Sequence, residues 1–489
     1  MDKQTFFPPR RNLHADITVP GNITNEPTVL KQHDMTPIPA LFPDIERPET
    51  LLSQEHQQPH KLQNQRTQFC NRLLELNKAG LPTQITFALL RSQTASDFTY
   101  LARTVGVPAE KARDIDEKTR STVIELLNLQ ELTPNASRRI FHPLKSGGLG
   151  LTSTSISNVP AHLASWLATA PTITESMQIP STETLRQMVP AIDHRLRHAS
   201  DLVNRTTRQS GFHHDTPAGE SLSQKQLTTH IIEQDIKNLT NNPDTPHQEL
   251  AAILSAGGPG AGAFLLPPTQ PSHHMNNKQF NTAVRLRLHL PTLPTTCTHC
   301  KHKNANQSCT AQQDPQGTHA ICCKLGGHVV RRHDSIRDAL ADIITNLTGL
   351  TPHKEVIIPH AAPNRENPRL DIVTTNENGS HTYIDVSIAT ATLPATIQHH
   401  NSHKSIPAAA TLRANEKRRS YPGIPCTPFV LEAHGRADEA ALHFIRTIAP
   451  KCPQTRSTTI LSVWQTLSAT LQRNNADAIH LAIQEHLTM

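Results

Sequence analysis

Two aspartates in the last third of the chain sit where chemistry could be done. Asp371 lies in the run RLDIV and Asp385 in HTYIDVSI, and a short polar loop separates the two runs. A carboxylate inside an apolar run is costly unless it is paired or metal-bound. In the second run, strand alternation puts Tyr383, Asp385 and Ser387 on one face and Ile384, Val386 and Ile388 on the other. Asp371 has Leu370 and Ile372 on its opposite face. Adjacent strands of a hairpin would bring both acids within reach of one cation. Magnesium takes hard oxygen ligands, commonly one or two carboxylates, and completes its shell with water and phosphate. A following helical segment carries Glu416, Lys417, Arg418 and Arg419. Lys417 there would orient or activate water, while Arg418 or Arg419 contacts phosphate. The chemistry these parts suit is metal-assisted phosphodiester hydrolysis. Glu355, in a short run just upstream, reads equally as a third acidic ligand for magnesium or as an exposed strand-edge charge.

A second set of residues suits a different metal. Of eight cysteines, five fall between Cys297 and Cys323. That clustering points to a local metal site and not to a disulfide framework. Cys297-x2-Cys300 has zinc-ligand spacing, and His319 with Cys322 or Cys323 supplies the second pair. Four such ligands suit a closed, structural tetrahedral zinc site. His319-x3-Cys323 is the more knuckle-like spacing, with Cys322 and Cys309 as alternates.

The elements that must position these residues can be outlined from pattern. Ile336, Leu340, Ile343, Ile344 and Leu347 fall on one face of a 3.6-residue helix capped by Asp334 or Ser335. Strands at 355–358, 369–375 and 381–388 follow, then a helix near 408–419, a strand at 427–432 and a helix around 437–449. The order is α-β-β-β-α-β-α. Upstream, 62–130 shows helical patterning punctuated by Pro82 and Pro108, and 159–168 continues it. The run RRIFHPLKSGGLGLTSTS (138–155) reads as a loop, and GGPGAGA (257–263) breaks any element. Residues 280–290 suggest a short amphipathic helix, and the tail, 457–488, one or two helices.

Composition bounds the rest. Of 489 residues, 36% are hydrophobic and 3% aromatic, with 38 prolines against 19 glycines. That is lean for this length and predicts poorly ordered stretches, foremost residues 1–60. A net charge of +6 fits an anionic partner without naming one. The first residues lack the long apolar core of a signal peptide. No uncharged apolar run is long enough for a membrane span. The chain is therefore expected to be soluble and intracellular.

The run THAICCKLGGHVVRRHDSIRDAL, followed by RLDIV, YIDVSI and ANEKRRSY, resembles the C-terminal part of non-LTR retrotransposon proteins. These carry a zinc knuckle and a restriction-enzyme-like endonuclease of the PD-(D/E)xK type after the reverse transcriptase. Upstream, LLR (89–91), YLARTV (100–105), FHPLKSGGLGL (141–151) and HLASWL (162–167) are similar to the region after the polymerase palm, including its thumb.

The resemblance implies a mixed α+β chain. Residues 1–60 would be disordered or a palm remnant, 61–210 a helical thumb-like region and 211–290 a polar linker with short helices. A zinc knuckle at 291–328 would precede an α-β-β-β-α-β endonuclease core at 329–450 and C-terminal helices at 451–489. It makes Asp371 and Asp385 the metal-binding acids, places Lys417 and Tyr421 in the family's helix motif, and gives Cys297, Cys300, His319 and Cys323 as zinc ligands. Arg331, Arg332 and Arg337, with Arg418 and Arg419, would contact nucleic acid. Leu370 stands where the family has proline, Ser387 where many such nucleases place lysine, and Ser420 replaces a second lysine. The loop between Cys300 and His319 is long.

No Asp-Asp pair occurs anywhere, so polymerisation by this chain is not expected. The implied activity is Mg2+- or Mn2+-dependent nicking of target DNA that exposes a 3′ hydroxyl for reverse transcription. Zinc would be structural, and the location nuclear. DNA, element RNA and a separate polymerase-bearing copy are the implied partners, with no membrane. The alternatives are a decayed nucleic-acid-binding remnant and a product without selected activity. In each case the chain would be the C-terminal piece of a larger reading frame.

Overall fold

The computed structural model describes residues 48–483 apart from 96–97, 105, 130–131, 208–222, 295, 298, 363–365 and 376–378. The chain divides into two compact units, Met1–Gln54 and Glu55–Met489, and the second carries every site discussed below. Of the 1–60 segment expected to be disordered, 1–47 lies outside the described residues. Residues from 48 onward form the start of the helix Pro48–Lys78, so 48–60 are helical and not disordered, which leaves the other reading of that segment, a palm remnant, open.

The first half of the second unit is helical, with Thr83–Thr94, Ala109–Leu126, Thr154–Ser176 and Gln224–Thr240 among its helices. Pro82 and Pro108 precede the first two, and polar caps, Ser153 and Ser223, fix the starts of the last two. Ser153 Oγ accepts the Ile156 N–H, and the buried Asp116 carboxylate accepts the N–H groups of Thr154 and Ser155. Phe87, Leu90, Val123, Leu127, Leu149 and Phe280 form the main core of this half. Two buried arginines hold the loop FHPLKSGGLGL. Buried Arg287 donates to the carbonyls of Leu144, Gly148 and Ala256, and buried Arg139 donates to Gly147.

Of 211–290, expected as a polar linker with short helices, 211–222 lies outside the described residues, and 223–290 is largely helical and partly buried. His247–Ser255 and Asn277–Leu288 contribute Ala251, Ile253, Phe280, Val284 and Leu288 to the interior. The GGPGAGA loop is a packing device. A Cβ on Gly260, whose φ is +79°, would fall 2.7 Å from the Trp464 ring.

The second half is built on one four-stranded sheet: β1 (His353–Ile357), β2 (Arg369–Thr375), β3 (His381–Ala389) and β4 (Cys426–Glu432), in that order. The first two pairings are antiparallel, and β3–β4 is parallel. Against one face pack the helices His328–Thr348, Glu439–Ile448 and Pro453–Leu481. Ile336, Leu340 and Ile344 meet Ile384, Val386, Phe429, Ile445 and Trp464 there. The helix Ala408–Ser420 covers the other face, with Ala410 and Ala414 against Val430. A short helix, Pro394–His400, was not anticipated.

The tail is one 29-residue helix, Pro453–Leu481, and it is no appendage. Ala469 belongs to the core of the first half, Trp464 and Leu467 to the sheet core, and Ile479 to the core beneath the cysteines. No helix among the described residues is long and apolar enough to cross a membrane.

Candidate metal centre and carboxylate site

The cysteine-rich segment folds as an irregular hairpin followed by a short helix. Cys300 N–H donates to Ala311 O and Cys309 N–H to His302 O, which sets Cys300 and Cys309 on opposite arms. Asp314 accepts the N–H groups of Thr318 and His319 and so starts the helix Thr318–Cys322. This delivers His319 from the helix and Cys323 from its end. The ligand atoms of Cys300, Cys309, His319 and Cys323 all lie within 4.8 Å of one another, and Cys309 Sγ is 3.4 Å from His319 Nε2. Tetrahedral zinc with Zn–S near 2.3 Å holds its sulfurs about 3.8 Å apart, so the four can hold a metal ion such as zinc. Burial, with the neighbouring Cys323 and Cys309, pushes the Cys300 thiol up to about 12. A cation among the thiols would reverse that by favouring thiolate.

The set differs from the expected one at one position. Cys297 stands outside the group, its Sγ directed to His299 O, and Cys309 takes its place because the hairpin folds it back over Cys300. Cys322 points away, donating to Thr390 Oγ1 at 3.2 Å.

The carboxylates meet where a ladder ends. Pairing of β2 with β3 runs from Thr375↔His381 to Ile372↔Ile384, and one step further by register Asp371 stands opposite Asp385. No backbone pair closes there. Asp371 Oδ2 instead accepts the Val386 N–H at 2.7 Å. Lys417, on Ala408–Ser420, donates from Nζ to Asp385 Oδ1 at 2.8 Å. Asp385 Oδ2 is buried with no donor. Burial dominates the Asp385 carboxyl, opposed by Lys417 and reinforced by Asp371, and holds it at about 6. Asp371 is held below the usual carboxylate range: burial acts to raise it, but the hydrogen bond from His333 and the neighbouring groups outweigh that.

His333 is a residue that the motif reading missed. Its Nε2 lies 3.2 Å from both Asp371 Oδ2 and Val386 O, and its Nδ1 lies 3.2 Å from Asp334 Oδ1. All three partners accept, so both ring nitrogens carry protons. The hydrogen bond to Asp371, against the cost of burial, raises the imidazole to about 9. Arg413 was missed too. One turn before Lys417, it donates from Nε to the buried hydroxyl of Ser387 at 2.9 Å. It could have been found by asking which residue shares a helix face with Lys417.

The remaining candidates lie elsewhere. Glu355 stands opposite Asp371 by register, but its φ of +56° breaks the ladder and its carboxylate pairs with Arg337 and Arg369. Tyr421 is buried and donates its hydroxyl to Arg369 O at 2.8 Å, tying the helix end to the start of β2. Arg332 is buried, with Nη1 on Asn475 Oδ1 at 2.7 Å. Arg337 is bound up with Asp334, Asp338 and Glu355. Arg331, Arg418 and Arg419 are exposed. Among the described residues, the cysteine–histidine cluster is the one group of three or more side chains arranged to hold a metal ion. No protein-family model and no curated protein matches this sequence.

Proposed function

We propose that the chain is the endonuclease-bearing part of a non-LTR retrotransposon protein, that it nicks DNA with the help of Mg2+ or Mn2+, and that its zinc site is structural. The observation that carries this reading is the meeting of Asp371 and Asp385 at the end of the β2–β3 ladder with Lys417 Nζ 2.8 Å from Asp385. The strand order, the parallel β3–β4 pair and helices on both faces fit a PD-(D/E)xK core.

The donor set suits a hard divalent cation. Two carboxylates stand opposite each other at the end of the β2–β3 ladder, and one buried oxygen of Asp385 has no donor. Asp371 and Asp385 would hold the ion, which when bound would polarise the scissile phosphate and lower the pKa of a water. Around it, His333 fixes Asp371 from the helix side, and Lys417, held on Asp385, would place positive charge beside an attacking water. The water oxygen would bond phosphorus as the P–O3′ bond breaks, one water proton passing to bulk solvent and one proton from solvent reaching the departing O3′, which leaves a 5′-phosphate and a 3′ hydroxyl.

The test uses the full chain with zinc present. Supercoiled plasmid should be nicked in Mg2+ and left intact in EDTA, and Asp385→Ala should abolish nicking without lowering DNA affinity. Wild-type protein that binds DNA but nicks no faster than Asp385→Ala would sink the nuclease reading in favour of a decayed nucleic-acid binder. Ser387, standing where related nucleases place lysine, is the feature that favours this second outcome.

A further inference from the structure

Asp385 and Ser387 lie on the same face of β3 and project toward the helix Ala408–Ser420. Two strand residues advance about 6.6 Å, and four helical residues about 6 Å. The spacings match. Lys417 reaches Asp385, and Arg413, one turn earlier, reaches Ser387, so helix and strand run in opposite directions with two cations set on two successive same-face positions. The side chain at 387 is a hydroxyl that cannot itself carry charge, yet a guanidinium is delivered to it across the groove.

Two of the three guanidinium nitrogens are already fixed. Nε donates to Ser387 Oγ at 2.9 Å, and Nη1 donates to Glu416 Oε2 at 2.8 Å. Among the described residues no partner is recorded for Nη2, and the side chain is 46% exposed. An arginine anchored by two of its nitrogens loses little freedom when the third meets a ligand, and its planar fork suits phosphate oxygens. The bland alternative is a surface pair of Arg413 with Glu416, three residues apart on one helix and worth a few tenths of a kcal/mol. The buried hydroxyl at the other end of the guanidinium is what such a pair does not need.

Resting on the nuclease reading, we infer that Arg413 is a catalytic residue that contacts the scissile phosphate, supplying from the helix the cation that Ser387 cannot. Ser387 is the positioning residue that aims it. Charge that builds on the non-bridging phosphate oxygens during attack would meet Nη2, so the contact should tighten in the transition state.

Plasmid nicking by the zinc-loaded full chain separates the possibilities. Arg413→Gln should lower kcat by about 10²-fold, the usual effect of losing one charge-stabilising donor, with KM for DNA changed by less than about threefold. Mn2+ affinity, followed by titration, should be unchanged, because Arg413 touches neither aspartate. Arg413→Lys should fall between, keeping charge but losing the fork, and Ser387→Ala should lose about tenfold while its melting temperature holds. Arg413→Gln that nicks at the wild-type rate, or that loses kcat only in proportion to lost folded protein, overturns the assignment while leaving the nuclease reading intact. Absence of Mg2+-dependent nicking by the wild type overturns both.

Discussion

Lys417 Nζ lies 2.8 Å from Asp385 Oδ1, across the space between the helix Ala408–Ser420 and β3. The pair is unequal: the Asp385 side chain is 3% exposed and that of Lys417 18%. Burial holds the carboxyl at about 6 in spite of the ammonium. Removing the lysine therefore strands a charge only where the acid is ionised. Lys417→Met should cost on the order of 2 kcal/mol at about pH 8 and well under half of that at about pH 5, where the carboxyl is protonated. Urea unfolding at the two pH values, without divalent ions, checks it. Equal losses at both would contradict the unequal pairing.

Zinc content discriminates among the cysteines. Cys309→Ser should lose the bound equivalent or weaken it at least about tenfold, since a thiolate of a tetrahedral set is removed. Cys297→Ser and Cys322→Ser should retain one zinc per chain, because neither thiol belongs to the cluster. Zinc stoichiometry by elemental analysis reads the result directly, and loss of zinc from Cys297→Ser would return the ligand set to the spacing argument.

Adjacent arginines should behave oppositely. Arg331→Ala, on the surface, should leave stability unchanged, weaken DNA binding and flatten its salt dependence by about one unit of slope. Arg332→Ala removes the donor held by Asn475 Oδ1 in the interior and should cost about 1–3 kcal/mol of stability. Binding isotherms at several salt concentrations and thermal melts separate the two.

Acid should loosen the protein through two imidazoles, the buried His434 and the half-buried His289. Burial, with Arg139 nearby, lowers His289 to about 4, and burial with His289, Arg139 and Arg287 lowers His434 to about 3. Each folded value lies below the unfolded value of about 6.5. Their contribution is thus complete above about 6.5 and is lost as pH falls toward the folded values. His434→Gln should flatten the decline in stability between about pH 6 and 4. His333, raised to about 9 chiefly by its hydrogen bond to Asp371, acts with the opposite sign. Its contribution is complete below about 6.5 and fades as pH rises through 9, and His333→Gln should remove that alkaline loss.

Tyr421→Phe should cost about 1 kcal/mol, the worth of one hydrogen bond to a backbone carbonyl, with nicking per folded molecule unchanged. A large kcat loss in a fully folded variant would return Tyr421 to the reacting centre.

Much of the second half was legible because its signals are local. Alternation in HTYIDVSI and the one-sided apolar stripe from Ile336 to Leu347 each report burial on one face, and the strands lie within a few residues of where those patterns put them, although the striped helix starts at His328 behind Gly327 and not at the expected cap Asp334 or Ser335. Chemistry that depends on return paths was less visible. Spacing favoured Cys297 over Cys309, and only the hairpin that pairs Cys300 with Ala311 and Cys309 with His302 decides between them. Arg332 and Arg337 looked like a basic patch beside Arg331. A helix turns about 100° per residue, so neighbours in sequence face different surroundings. The polar-looking stretch 224–290 hid its burial because Gln84, Arg287 and Ser468 satisfy its backbone from within. Pro453–Leu481 gave no amphipathic stripe for a related reason. From Val463 onward it is contacted around much of its girth, and a helical stretch without a solvent face has no hydrophobic side to display.

That last helix carries a practical consequence for anyone cutting the gene. Ala469, Trp464 and Ile479 seal three separate interiors from one rod, so a fragment ending near residue 450 would keep both acids, the lysine and all four side chains of the cysteine–histidine cluster yet leave three greasy seams open to water. Such a piece would precipitate or be digested before it could be assayed, and its silence would say nothing about the chemistry of Asp371 and Asp385. Supplied as a separate peptide, 451–489 should rescue the solubility of that fragment by filling the slot it left.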